Sequence, residues 1–151
     1  MKRENAWIEG EEGEDEDEYK YKNEKEIKDN CEIYINNKKI DFSYYYEFKE
    51  AGKYIIKYFF LNDITKLDYM FYGCKLLSNL NLSNFNTQNV TNMSSMFLGC
   101  ESLSNLNILN LNIQNAIDMN CMFFGSKSLS NLNVLNFNTR NVINMNSMFY
   151  E

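Results

Sequence analysis

One 26-residue unit is written three times in this chain and then begun a fourth time. The dipeptide Met-Phe stands at Met70-Phe71, Met96-Phe97, Met122-Phe123 and Met148-Phe149, each 26 residues after the last. Between these markers the copies read MFYGCKLLSNLNLSNFNTQNVTNMSS, MFLGCESLSNLNILNLNIQNAIDMNC and MFFGSKSLSNLNVLNFNTRNVINMNS. A period of this length specifies supersecondary units that cannot bury an apolar face singly and share a core by stacking. Such arrays bind far more often than they catalyse.

Each copy repeats one apolar rule. Leu77, Leu80, Leu82 and Phe85 are followed by Val90, Met93, Met96 and Phe97, and the second copy keeps the spacing from Leu103 to Phe123. Leu-xx-Leu-x-Leu joins a turn to a short strand, the leucine-rich-repeat pattern. The run Val90, Met93, Met96, Phe97 predicts a helical stretch or one or two tight 3₁₀ turns. Gly73, Gly99 and Gly125 are placed to let the chain reverse. Stacking sets equivalent side chains above one another, so Leu80, Leu106 and Leu132 form one apolar ladder and Phe71, Phe97 and Phe123 another. The predicted fold for 66–151 is therefore a leucine-rich-repeat-like solenoid of mixed α/β type, with short strands and short helical turns.

What precedes the repeats differs in kind. Residues 1–50 carry 16 acidic and 9 basic side chains, against 5 and 6 in residues 51–151. Glu11, Glu12 and the run from Glu14 to Glu18 repel one another, so residues 1–30 are predicted to be a largely disordered acidic segment, a solvated linker or a docking tail. Trp7 is its one large anchor. Residues 31–65 predict a small antiparallel β cap. Cys31 to Ile35 alternates, Asn36-Asn37 supplies a turn before Lys38-Lys39-Ile40, and a second pair runs from Tyr44 to Phe48 and from Tyr54 to Phe60 around Gly52. The cluster Tyr44, Tyr45, Tyr46 is expected to pack over the first repeat.

Several chemistries are excluded by composition. The chain has no histidine, so Ser-His and Cys-His nucleophile pairs and His-metal sites are out. The near-neutral repeats offer no basic stripe for nucleic acid or an anionic membrane. No segment has the apolar length to insert in a membrane, and Met1 to Gly10 carries no apolar run of the secretory kind, which places a complete chain in the cytoplasm. The four cysteines form no CxxC pair. Cys74 and Cys100 share one repeat position with Ser126, as a small buried slot would require; a cross-coil disulfide in an oxidising compartment is the alternative. No catalytic, cofactor-binding or metal-binding residue is predicted, and no enzyme.

Asparagine gives the second regularity. Asn79, Asn81, Asn84, Asn86 and Asn89 recur 26 and 52 residues later. Some should bond backbone carbonyls of neighbouring coils. Those alternating with core leucines should line the outer strand face, the usual recognition surface of a solenoid. Ser83, Leu109 and Leu135 share a neighbouring slot and make part of that face apolar. The candidate partner-binding face is therefore Asn79, Asn81, Ser83, Asn105, Asn107, Leu109, Asn131, Asn133 and Leu135, facing a protein or glycan. Flanking slots hold Lys75, Glu101 and Lys127, and Gln88, Gln114 and Arg140. An uncapped fourth copy predicts either further repeats or self-association through the last coil.

The motif carried by Val90, Met93, Met96, Phe97, Gly99, Cys100, Leu103, Leu106 and Ile108, together with Ser83-Asn84-Phe85-Asn86-Thr87, resembles the BspA-type leucine-rich repeat surface proteins over about residues 66–151. Departures are Ser126 for the cysteine, Leu109-Asn110-Leu111 for Ser-Asn-Phe and Ile113 for the threonine. Tyr46 to Lys57 is similar to the last hairpin of the β-sandwich that often precedes such repeats. The resemblance implies a cell-surface adhesin-type protein that binds host or matrix components. Asn81, Asn89 and Asn92 lie in glycosylation sequons, relevant only after secretion. Composition and resemblance leave three functions open: a surface recognition module, an intracellular interaction scaffold, and a non-catalytic piece of a larger protein.

Overall fold

In the computed structural model of the protein, the residues described are 24–43, 48–50 and 52–150. The acidic block Glu11–Glu18, Trp7 and the Tyr44–Tyr46 cluster lie outside them. The first element corrects the expectation of a disordered segment up to residue 30: Glu24–Asn30 is a helix, α1. Its Ile27 is 3% exposed and belongs to the common core. The Glu26 carboxylate accepts from the Thr65 N–H (2.5 Å) and the Thr65 hydroxyl (3.1 Å). Acidic composition hid one apolar anchor and one carboxylate with a fixed partner.

Strands β1 (Cys31–Ile35), β2 (Lys38–Ile40) and β3 (Ile56–Phe60) form an antiparallel sheet ordered β2-β1-β3. Asn36 (φ 49°) and Asn37 (φ 67°) turn the hairpin with two left-handed residues, the type I′ geometry that asparagine tolerates best. β1 alternates between buried and half-buried positions, sending Cys31, Ile33 and Ile35 inward. The strand ending at Phe60 was expected to pair with 44–48. It pairs with β1, in the register Cys31↔Phe60 to Ile35↔Ile56; of the expected partner, residues 44–47 lie outside the described residues.

Beyond Ile64 the chain runs in stacked coils. Single parallel bridges join Lys66 to Asn92, Asn92 to Asp118 and Asp118 to Asn144. From each bridge, alternate N–H groups donate to the next coil: Leu67, Tyr69, Phe71 and Gly73 to the carbonyls of Asn92, Ser94, Met96 and Leu98, at 2.7–3.1 Å. The same series runs from Met93, Ser95, Phe97 and Gly99, and again from Met119, Cys121, Phe123 and Gly125. The segment between Val90 and Cys100 was expected to be a helical stretch or one or two tight 3₁₀ turns. It is a chain of tight turns with i→i+3 bonds, Met96 N to Met93 O and Cys100 N to Phe97 O. Their third residues, Ser95 (φ 54°) and Gly99 (φ 73°), are left-handed, as type II turns require, and a left-handed residue ends any helix.

The core fills the coil interiors. Phe71, Phe97, Phe123 and Phe149 stack with centroids 5.4–5.5 Å apart and rings within 7° of parallel. Val90, Met93, Met96, Phe97, Cys100 and Leu103 are fully buried. The sheet closes over the first coil through Phe60 stacked on Phe85 at 4.7 Å and Tyr58 edge-on to Phe71 at 6.2 Å.

Candidate functional site

Short strands β4 (Asn79–Asn81) and β5 (Asn105–Asn107) pair parallel and in register, Asn79↔Asn105 and Asn81↔Asn107, with Leu80 and Leu106 turned inward between them. Alternation across the strand explains the split: successive side chains point to opposite faces, so the two asparagines of each strand share the outside. The Asn105 amide donates to the Asn79 side-chain oxygen at 2.8 Å. The third copy departs from the expected ladder. Residues 131–133 form no strand, although the Asn131 amide donates to the Ser130 hydroxyl at 3.5 Å, the same local bond that Asn79 and Asn105 make to Ser78 and Ser104. The parallel ladder ends at β5. Asn79, Asn81, Asn105, Asn107, Asn131 and Asn133 are all exposed.

The second asparagine of each strand has a further duty. The side-chain oxygens of Asn81, Asn107 and Asn133 accept from the N–H groups of Ser83, Leu109 and Leu135, at 2.9, 3.2 and 3.1 Å. These are Asx turns, in which a side chain imitates a backbone turn. They bend the chain so that Ser83 is half-buried while Leu109 and Leu135 stand 48% and 90% exposed. The candidate face therefore holds one paired asparagine rung, four turn or unpaired asparagines, and two protruding leucines beside them.

The same device closes two further corners of every coil. Asn86, Asn112 and Asn138 accept from Gln88, Gln114 and Arg140; Asn92, Asp118 and Asn144 accept from Ser94, Asn120 and Asn146. The remaining asparagines link coils. Asn110 donates to the Ser83 carbonyl and Asn136 to that of Leu109; Asn115 and Asn141 donate to Gln88 and Gln114. At the first coil no earlier repeat supplies such carbonyls, and Asp63 takes their place. Its carboxylate accepts from Asn86 (3.2 Å) and Asn89 (2.8 Å). Sequence reasoning missed this role for Asp63, although an acid just ahead of the first asparagine set was visible.

The small buried slot does more than fill space. The Cys100 thiol donates to the Phe71 carbonyl at 3.0 Å, and the Ser126 hydroxyl donates to the equivalent Phe97 carbonyl at 2.9 Å. Both are hydrogen-bond donors of similar size, which accounts for serine in a cysteine position. All four cysteines are free. Desolvation pushes the Cys100 thiol far up, with the neighbouring Cys74 adding to the effect. Burial raises Cys31 to about 12, assisted by Glu32. Neither is a thiolate near neutral pH, and the thiolate is the reactive form.

Charge on the repeats is sparse. Lys75 and Glu101 approach to 3.8 Å on an exposed slot, a contact worth little in water. On the cap, the Lys39 ammonium and Tyr34 hydroxyl both donate to Glu32, holding its carboxyl below the usual range and Lys39 above its own. Among the described residues no three His, Cys, Asp or Glu side chains gather as metal ligands would. No helix among them is long and apolar enough to cross a membrane.

Three in-register copies, bonded coil to coil beneath a three-stranded sheet, define a repeat protein. The chain belongs to the family described as Mycoplasma protein of unknown function, DUF285, whose model matches residues 40–151. That match takes in the third strand and every repeat, and of the second strand only Ile40. Comparison with curated proteins and with solved structures returned no match.

Proposed function

We propose that residues 66–151 are part of a leucine-rich-repeat solenoid of the BspA type, and that the protein is a non-enzymatic binding module taking a protein or glycan on its strand face. The observation that carries this reading is the exposed asparagine rung, Asn105 on Asn79 at 2.8 Å, bordered by Leu109 and Leu135 with nearly half or more of their surface in water. Amides that satisfy one another hold a flat array of donors and acceptors in fixed positions. Protruding leucines beside them supply apolar area that a partner can cover. No nucleophile, acid–base pair or ligand cluster accompanies them on that face.

The test is a pull of matrix proteins and an oligosaccharide array on the immobilised chain, with Leu109→Ser and Leu135→Ser in parallel. Each leucine is expected to carry about tenfold in affinity, since burying one stabilises a contact by about 1.5–3 kcal/mol. Both variants should melt with the parent because neither side chain is buried. Partners held equally by parent and double variant would exclude this face.

Self-association is the other part of the proposal. Ile143, Met145 and Phe149 expose 85%, 47% and 59% of their surface on the last coil described; where no further repeat covers that apolar surface, a second copy can. Light scattering at micromolar concentration should report a species heavier than the 17.9 kDa chain; a monomer across that range rejects the idea.

A further inference from the structure

An asparagine that closes a corner uses its oxygen and can keep its nitrogen for something else. Asn81, Asn107 and Asn133 hold the N–H groups of Ser83, Leu109 and Leu135 through their side-chain oxygens. Among the described residues their Nδ2 groups make no hydrogen bond, and all three residues are exposed. The amide is planar, so an oxygen held at the corner also fixes where its two N–H donors point. The first corner thus carries a column of outward donors whose acceptors are already taken.

The other two corners build no such column. At the second, the Asn86 nitrogen donates to Asp63 at 3.2 Å. At the third, Asp118 takes the middle place and brings no N–H, while Asn92 and Asn144 are half-buried. The first corner is also evenly stepped. Asn110 reaches back to the Ser83 carbonyl and Asn136 to that of Leu109, at 3.0 and 3.2 Å. One kind of link therefore pins both steps, although the strand ladder stops after the first. Each step is one coil, a separation that the stacked rings show as 5.5 and 5.4 Å.

We propose that this column binds a neutral, extended, β-linked glycan lying along the stack, one pyranose ring to each coil, an assignment that rests on the strand-face reading above and names its ligand. Pitch separates a glycan from a peptide. An extended peptide advances about 3.3 Å per residue and repeats its same-side groups at about 6.6 Å. A carbonyl that met Asn81 would be followed by one well past Asn107, and the error would double at Asn133. Extended chains of β-linked pyranose rings advance by close to one coil per ring, and every ring carries hydroxyl oxygens that can accept. Charge complementarity points the same way. None of the nine residues of the face carries a charge, so neutral donors meet neutral acceptors without the cost of stripping water from an ion. Leu109 and Leu135, 48% and 90% exposed, give the C–H faces of the rings an apolar bed beside the donors.

The experiment titrates cellohexaose and chitohexaose into the full chain, with maltohexaose as the control, and follows the side-chain amide signals of Asn81, Asn107 and Asn133 by NMR. A β-linked chain should shift all three signals. Maltohexaose, whose α-linked chain curls and loses the pitch, should not. Asn107→Asp is the informative variant. A carboxylate closes such a corner in the chain itself, where Asp118 accepts from the Asn120 N–H at 2.9 Å, so the variant should melt with the parent. It has no N–H to give and brings a charge that resists desolvation, so affinity for the β-linked chain should fall about tenfold. The Leu109→Ser, Leu135→Ser double variant should weaken the same chain. Equal binding by parent and Asn107→Asp overturns the proposal, as does maltohexaose bound as tightly as cellohexaose. So does the absence of any shift with both β-linked chains at millimolar concentration. In that event a protein partner lost by the double leucine variant and kept by Asn107→Asp would leave the strand face standing with a different ligand.

Discussion

Phe97→Ala is expected to lower stability by about 3–5 kcal/mol, the range for truncating a buried aromatic. Its ring is fully buried and stacked on both faces, by Phe71 at 5.5 Å and Phe123 at 5.4 Å. The neighbours cannot close the gap, since both rings are held by main chains bonded to the Phe97 coil. Phe71 N–H donates to Met96, and Phe97 N–H to Met122, each at 2.9 Å. Small domains have only about 5–15 kcal/mol in all, so the variant should unfold at much lower urea. Phe149→Ala is the matched control: its ring stacks on one face only and is 59% exposed, so about 1 kcal/mol or less is expected. Equal losses for the two would mean that enclosure between rings adds nothing.

Gly99→Val should cost about 1–3 kcal/mol, for a different reason. Gly99 has φ +73°, and a Cβ there would stand 3.6 Å from the Gly73 Cα, an ordinary contact. Strain in the left-handed backbone therefore dominates over collision. A β-branched residue suffers most in that region. Gly73→Val separates the two causes, since Gly73 has φ +66° and nothing within 4 Å of its would-be Cβ. Urea melts should give similar losses for both. A loss confined to Gly99→Val would assign the effect to crowding between coils.

How much was legible beforehand depended on whether the code was periodic. The ring stack from Phe71 to Phe149 and the parallel register Asn79↔Asn105 follow directly from a fixed interval, because identical coils can satisfy identical side chains only in register. The strand 56–60 was readable as a strand but not as the partner of 31–35, since pairing with a distant edge leaves no mark in either segment. Helix Glu24–Asn30 was hidden because a single buried Ile27 gives no period. The asparagines were the hardest to apportion. The same side chain can close its own corner, as Asn81 does, or reach the previous coil, as Asn110 does, and only backbone direction decides between them. Of the nine face residues, exposure was readable for the asparagines; the turn duty of Asn81, Asn107 and Asn133 was not. The break in the ladder at Asn131 was equally silent, since its sequence matches the copies that do pair.

The corners that each coil closes with its own asparagines make length a free variable. Each of these corners depends on an acceptor two residues before the N–H it holds, and so travels with its own copy. A recombination that adds or removes one whole copy would leave all bends, and the match of N–H to carbonyl between neighbours, as they were. One residue more or fewer would put every donor opposite the wrong group. Such a chain can vary in reach by whole steps of one coil while presenting the same surface at each step.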